Sequence, residues 1–251
     1  MASLKQGNPD PDDDFHRTHW SLVLAAIQAD SPQAEKALEE LCQTYYYPVY
    51  AFVRRRGHDF EAAKDLTQEF FARMLAKQYL RIVDRDRGRF RNFLLSCVEH
   101  FLSNERKKER TLKRGGNYSF IPLEGASAEE RYQIEPIDKM SPDRLLDRHW
   151  ALTTLELAMK QLQREYGEAG KAAHFDALQE RLSGTKHAPT SFAEIAARTG
   201  MTEAAARQAA SRMRVRYGEL WRQCVAQTIA NPQDLEVEMG HLRAVLRHQG
   251  T

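Results

Sequence analysis

Apolar positions recur at three- and four-residue spacing along most of the chain, and no apolar–polar alternation lasts long enough to mark a strand. The pattern predicts an all-α protein. Trp20–Ala29 reads as a short helix, and Ser31–Pro32 restarts one with proline at an early helical position. Ala37, Leu38, Leu41, Cys42 and Tyr45 carry its stripe; Pro48 predicts a kink or a fresh start before Val49–Arg56, and Gly57 ends that helix. Phe60–Gln78 and Arg89–Lys113 follow as helices on either side of a basic loop, Arg81–Gly88, and Gly115–Gly116 closes the block. Ser141–Pro142–Asp143 is an N-cap followed by proline and acid. It opens a helix whose buried side is expected at Leu145, Leu152, Leu155, Met159, Leu162 and Tyr166. Phe175, Leu178 and Leu182 suggest another short helix. Asn231–Pro232 caps a last amphipathic one with Leu235, Met239, Leu242 and Leu246 on one face.

Punctuation divides this series. Residues 1–14 are polar and acidic and are expected to be disordered. Residues 117–140 mix Pro, Gly, Ser and charges without periodicity, which is linker composition. The expected organisation is two helical domains, 15–116 and 141–230, joined by that flexible linker, with a C-terminal helical extension over 231–251.

The stretch Ser191–Trp221 reads as a short helix, a turn at Thr199–Gly200–Met201, and a longer helix opening at Thr202. Thr202 suits an N-cap because its hydroxyl can accept a free first-turn N–H, and Glu203 suits the positive end of the helix dipole. Ala196, Gly200 and Ala206 supply small residues where a helix-turn-helix needs close approach or a positive φ. Arg207, Arg212, Arg214 and Arg216 follow on the second helix. A basic second helix after such a turn fits a major groove. The same residues also suit two packed helices of an ordinary α-domain.

Composition narrows the function classes. The chain has 251 residues, 42% hydrophobic and 29% charged, and a net charge of only +2, so the distribution of charge says more than its sum. Acid gathers at Asp10–Asp14 and in the C-terminal tail, while base gathers over Arg81–Arg114 and Arg207–Arg222. Cys42, Cys97 and Cys224 stand far apart in apolar or helical contexts and read as buried reduced thiols. No apolar run is long enough to span a membrane and the polar N-terminus lacks a signal h-region, so the expected location is the cytoplasm. No P-loop, GxGxxG, GxSxG or triad occurs. His16 and His19 have ligand-like spacing beside a polar tail, but no metal or other cofactor is expected, and no enzymatic activity.

Two further constellations lie in the first half. Asp65, Gln68 and Glu69 stand at i, i+3 and i+4 and share a helix face, opposite Leu66, Phe70 and Met74. Gly88–Leu95 and Val98–Arg110 then interleave basic residues with aromatics, a composition that suits a nucleic-acid strand. Phe93 and Phe101 also suit a core. Arg106–Arg114 is dense enough to call for a polyanion nearby.

In this order, ALEELCQTYYYPVYAFVRRRG, AAKDLTQEFFARML, GRFRNFLLSCVEHFLSNERKKERTLKRGG and SFAEIAARTGMTEAAARQAASRMRVRYGEL resemble an extracytoplasmic-function (ECF) sigma factor of bacterial RNA polymerase. DLTQEFF and GRFRNFLL are similar to sigma region 2 and the helix-turn-helix to region 4, so the resemblance implies a region 2-like bundle and a region 4-like domain. It implies that Asp65, Gln68 and Glu69 meet the clamp helices of core RNA polymerase. It assigns Arg89, Phe90, Asn92, His100 and Asn104 to the −10 promoter element and its melting, with Arg106, Lys107, Lys108 and Arg110 on phosphates. His100 stands where many members carry asparagine. Thr202, Arg207, Gln208, Ser211, Arg212 and Arg214 are assigned to the −35 element. The implied partners are core polymerase, promoter DNA and an anti-sigma factor or other regulator. An effector-controlled helix-turn-helix regulator and a helical protein-interaction adaptor are the competing readings.

Overall fold

Proline at the first position of a helix gives up an N–H that has no partner there, and the first helix, α1, begins on Pro32 and runs to Arg55. The computed structural model describes residues 32–76, 89–111, 125–134, 141–182 and 190–247. The expectations for 1–14, for the helix Trp20–Ala29, for His16 and His19, and for the basic loop Arg81–Gly88 lie outside them. Among the described residues the regular elements are helical. After α1 come α2 (Phe60–Leu75), α3 (Phe90–Thr111), α4 (Gly125–Ile134), α5 (Pro142–Glu168), α6 (Ala172–Leu178), α7 (Phe192–Thr199), α8 (Glu203–Ala226) and α9 (Leu235–Arg247). Short 3-10 turns lie at Gln179–Arg181 and Pro232–Asp234, and the fold class is all-α. The chain divides into two compact units, Met1–Thr153 with Ala226–Thr251, and Thr154–Val225.

In the first unit α1 passes through Pro48 without ending there, so no new helix starts at that proline. An interior proline costs a helix about 3 kcal/mol. Tyr45, Tyr46, Tyr47, Val49, Tyr50, Ala51, Phe52 and Val53 are all buried around it. Each large apolar side chain buried contributes roughly 1.5–3 kcal/mol, so their sum outweighs the lost hydrogen bond. Tyr45 stacks on Trp150 of α5 with ring centroids 4.1 Å apart, and Phe90 of α3 leans on both rings at 5.9 Å. Phe70 of α2 meets Phe71 at 5.1 Å and Phe101 of α3 at 5.8 Å, completing an aromatic core.

The stretch read as linker holds α4. Its Glu129 is buried and accepts hydrogen bonds from the Tyr50 hydroxyl, from Arg54 Nε and Nη2 at 3.0 Å each, and from Gln133 at 3.1 Å. Arg131 lies over the Tyr47 ring at 4.1 Å. This helix docks through polar and cation–π contacts, so its sequence carries no apolar stripe. Burial alone would raise the Glu129 carboxyl, but the bonds from Tyr50, Gln133 and Arg54 outweigh it and hold the group below its ordinary value.

The C-terminal helix belongs to the same unit. Asn231 Oδ1 accepts from Gln233 N at 3.1 Å, and Met239, Leu242 and Val245 of α9 are buried. The preceding strand-like residues clip the start of α3: Phe90 N donates to Thr228 O at 2.8 Å, and Arg89 and Ile229 form an isolated antiparallel bridge.

The second unit contains α7 and α8, joined by a tight turn. Ser191 Oγ accepts from Glu194 N at 3.2 Å while Glu194 Oε2 accepts from Ser191 N at 2.9 Å, a capping box that starts α7. Gly200 closes α7 at φ 69°, and Thr202 Oγ1 accepts from Ala205 N at 3.2 Å to open α8. Ile195 of α7 and Ala206, Ala210 and Met213 of α8 are buried. A Cβ on Gly200 meets nothing within 4 Å, so Gly200→Ala should cost only the left-handed backbone penalty, about 1–2 kcal/mol. A thermal midpoint equal to that of the wild type would contradict this.

On α5 the expected stripe is only partly buried. Leu145 and Leu162 are, whereas Leu152, Leu155, Met159 and Tyr166 are half-buried and Leu146, Trp150, Ala151 and Ala158 take the interior. The helix serves one unit with its first half and the other with its second, so no single stripe describes it.

Candidate nucleic-acid interface

Helix α3 buries one side and shows the other. Phe90, Phe93, Leu94, Cys97, Val98, Phe101 and Leu102 enter the core, while Asn92, Ser96, Glu99, His100, Ser103, Arg106 and Lys107 are exposed. Asn104, half-exposed, lies within 3.3 Å of His100 Nδ1 one turn away. Asn92, His100, Asn104, Arg106 and Lys107 therefore lie along the open side of the helix. Lys108 and Arg110 lie on the same helix, with side chains outside the described residues.

Phe90 departs from its expected place. Its ring is fully buried against Tyr45, Phe93 and Trp150, because the helix phase that turns Asn92 outward turns Phe90 inward. Arg89 is half-buried, with Nε 3.0 Å from Glu238 Oε2. Next to it Arg91, absent from the sequence-derived set, is buried and pairs with Asp147 of α5 and, at 3.2 Å, with Glu238 of α9. Asp147 also accepts from His241 Nε2 at 2.8 Å. Burial draws the Arg91 guanidinium below its ordinary value against the pull of Glu238; burial, with Arg91 beside it, likewise lowers His241. In sequence Arg91 looks like one more cation of the basic run. Its spacing from Phe90, Leu94 and Val98 on the buried side is the signal that separates it.

On α2 the expected acidic face is open to solvent, with Asp65 exposed and Gln68 and Glu69 half-buried. Asp59 caps the helix, its Oδ1 accepting from Ala62 N at 2.9 Å. Asp65 stands close enough to Tyr46 to add to the effect of burial, which pushes that phenol up to about 12. Glu69 has an internal partner as well: it pairs with buried Arg73, which also holds Glu105 of α3 at 2.9 Å.

Thr202, which caps α8, and Arg207, Gln208, Ser211, Arg212 and Arg214 on it are all exposed. Arg207 pairs with Glu203 and lies 5.0 Å from the centre of the Phe192 ring, while Arg214 Nη2 reaches Arg181 O at 3.4 Å. Arg216 has a different role. It binds Glu165 of α5 through Nε at 2.9 Å and Nη2 at 2.7 Å, which ties α8 to α5 and holds its charge firmly.

Cys42, Cys97 and Cys224 are free and buried, and burial pushes the Cys42 and Cys224 thiols up to about 12 and about 11. Among the described residues no His, Cys, Asp and Glu cluster could hold a metal ion, and no helix is long and apolar enough to cross a membrane.

Residues 41–111, which run from the middle of α1 to the end of α3, match the family model of Sigma-70 region 2. No curated protein and no solved structure matches the chain. The exposed α2 face and most of the open side of α3 fall within the matched residues, and the match supports a sigma-70 family sigma factor.

Proposed function

We propose that the chain is an ECF-type sigma factor that joins core RNA polymerase, reads −35 and −10 promoter elements and helps open the DNA. The match of residues 41–111 to sigma-70 region 2 carries this reading. In it, Asp65, Gln68 and Glu69 dock the polymerase; Asn92, His100 and Asn104 face the −10 strand, with Arg106, Lys107, Lys108 and Arg110 on its phosphates. Thr202, Arg207, Gln208, Ser211, Arg212 and Arg214 face the −35 duplex. Arg89, held by Glu238, and buried Phe90 shape the start of α3 rather than reach DNA.

The domain boundaries expected from the sequence, a cytoplasmic location, a non-enzymatic role and control by an anti-sigma factor or other regulator form part of the proposal. Neither reader need bind tightly alone. Once polymerase holds one, the other meets DNA at high effective concentration. Unstacking a base costs a few kcal/mol, which capture of the flipped base offsets without nucleotide hydrolysis.

The −35 role is tested by Arg212→Ala in the reconstituted holoenzyme. Promoter complexes that depend on the upstream box should weaken by about 1–3 kcal/mol, with relaxed choice at one base pair. Unchanged promoter preference across a randomised upstream box would refute the assignment.

A further inference from the structure

The three consecutive arginines at the end of α1 do not share one role. Arg54 is consumed internally, by Glu129 and by His58 O at 2.7 Å. Arg56 is exposed, its guanidinium 4.8 Å from the centre of the Phe52 ring, which aims it across the end of α1 toward α3. There it pairs with Glu99, 43 residues further along the chain, and stands 3.7 Å from Asp143. Both carboxylates are well exposed, so these pairs contribute little and exchange readily for another anion.

The same residues line a groove of about 450 Å³ formed by Arg56, Glu99, Leu102, Ser103, Arg106 and Lys107. Three cations and a hydroxyl face it, against one carboxylate. Glu99, Ser103 and Lys107 succeed one another at four-residue spacing, so the groove runs along the open side of α3 beside His100 and Asn104.

We infer that this groove binds a phosphate of the DNA strand whose bases face His100 and Asn104, with Arg56 as its third cation and Glu99 as the carboxylate that the phosphate displaces. The inference rests on the reading of α3 as the DNA-facing helix. Glu99 occupies Arg56 in the free protein, which keeps the guanidinium aimed and weakens the attraction for stray polyanions. The phosphate takes over that partner when the strand arrives. Arg56 lies in the turn just after α1, away from the proposed DNA-facing residues in the sequence, so the basic run on α3 alone does not define the site.

The test is the affinity of the full-length chain for a labelled single-stranded oligonucleotide across a range of salt concentrations, with unfolding midpoints as the check on folding. Arg56→Ala should weaken binding roughly fivefold and flatten the slope of log K against log salt by about 0.7. Arg56→Lys should keep the slope, and Glu99→Gln should tighten binding. An Arg56→Ala chain that keeps wild-type affinity and slope overturns the inference, as does a wild-type chain that binds no oligonucleotide. Either result leaves promoter-dependent transcription by the holoenzyme to be judged separately. Conversely, absence of such transcription with the salt slopes as expected overturns the sigma-factor reading and supports the groove.

Discussion

An Asp65→Arg chain should fold as the wild type does and fail to hold core RNA polymerase. Asp65 is exposed on α2, and exposed substitutions away from packing usually change stability by no more than about 0.5 kcal/mol. Facing a complementary surface, the same reversal puts like charges together, which costs several kcal/mol, so association should fall by at least roughly a hundredfold. Titration of labelled protein with core polymerase measures the loss, and the urea midpoint verifies the fold. Glu69 is the wrong residue to reverse with it: an arginine there would face buried Arg73, which also holds Glu105, and damage to the core would pass for a lost interface. Normal binding by Asp65→Arg would remove the α2 face from the docking surface.

Glu238→Ala should be the most destabilising single change outside the aromatic core. Glu238 is 1% exposed and sits between Arg89 and Arg91. Removing one member of a buried pair typically costs 3–5 kcal/mol, because the partner keeps its desolvation penalty. Asp147 still holds one arm of Arg91, so about 3 kcal/mol is expected, the lower end of that range. The loss should reach α3 as well. That helix has no acidic residue in its first turn, and α9 supplies the carboxylate while Thr228 O takes the Phe90 N–H. Chemical denaturation measures the change, and a midpoint equal to the wild type would mean that the pair contributes nothing net.

The distribution of apolar residues made the helices legible, and helix phase explains what it missed. Local chemistry made the turn between α7 and α8 legible: a glycine at positive φ and a threonine N-cap each depend on neighbours a few residues away. The exposed face of α2 was legible for the same reason. Phe90 and Arg91 were missed: the apolar spacing of Phe90, Leu94 and Val98 marks the inward side, but the partners that bury them, Trp150, Asp147 and Glu238, are remote in sequence. Helix α4 escaped notice since it docks by ion pairs and cation–π contacts rather than an apolar stripe. Pro48 does not start a new helix, because the buried residues on both sides hold α1 in one piece. The three arginines at 54–56 look equivalent in sequence, and only their partners on α4 and α3 distinguish them.

The most direct test of the sigma-factor reading is run-off transcription by core RNA polymerase on genomic DNA fragments, with and without the purified chain, read by sequencing the transcript 5′ ends. The reading predicts new start sites that appear only with the chain, share upstream and downstream sequence elements, and disappear with Asp65→Arg. Start sites identical in its presence and absence would contradict it.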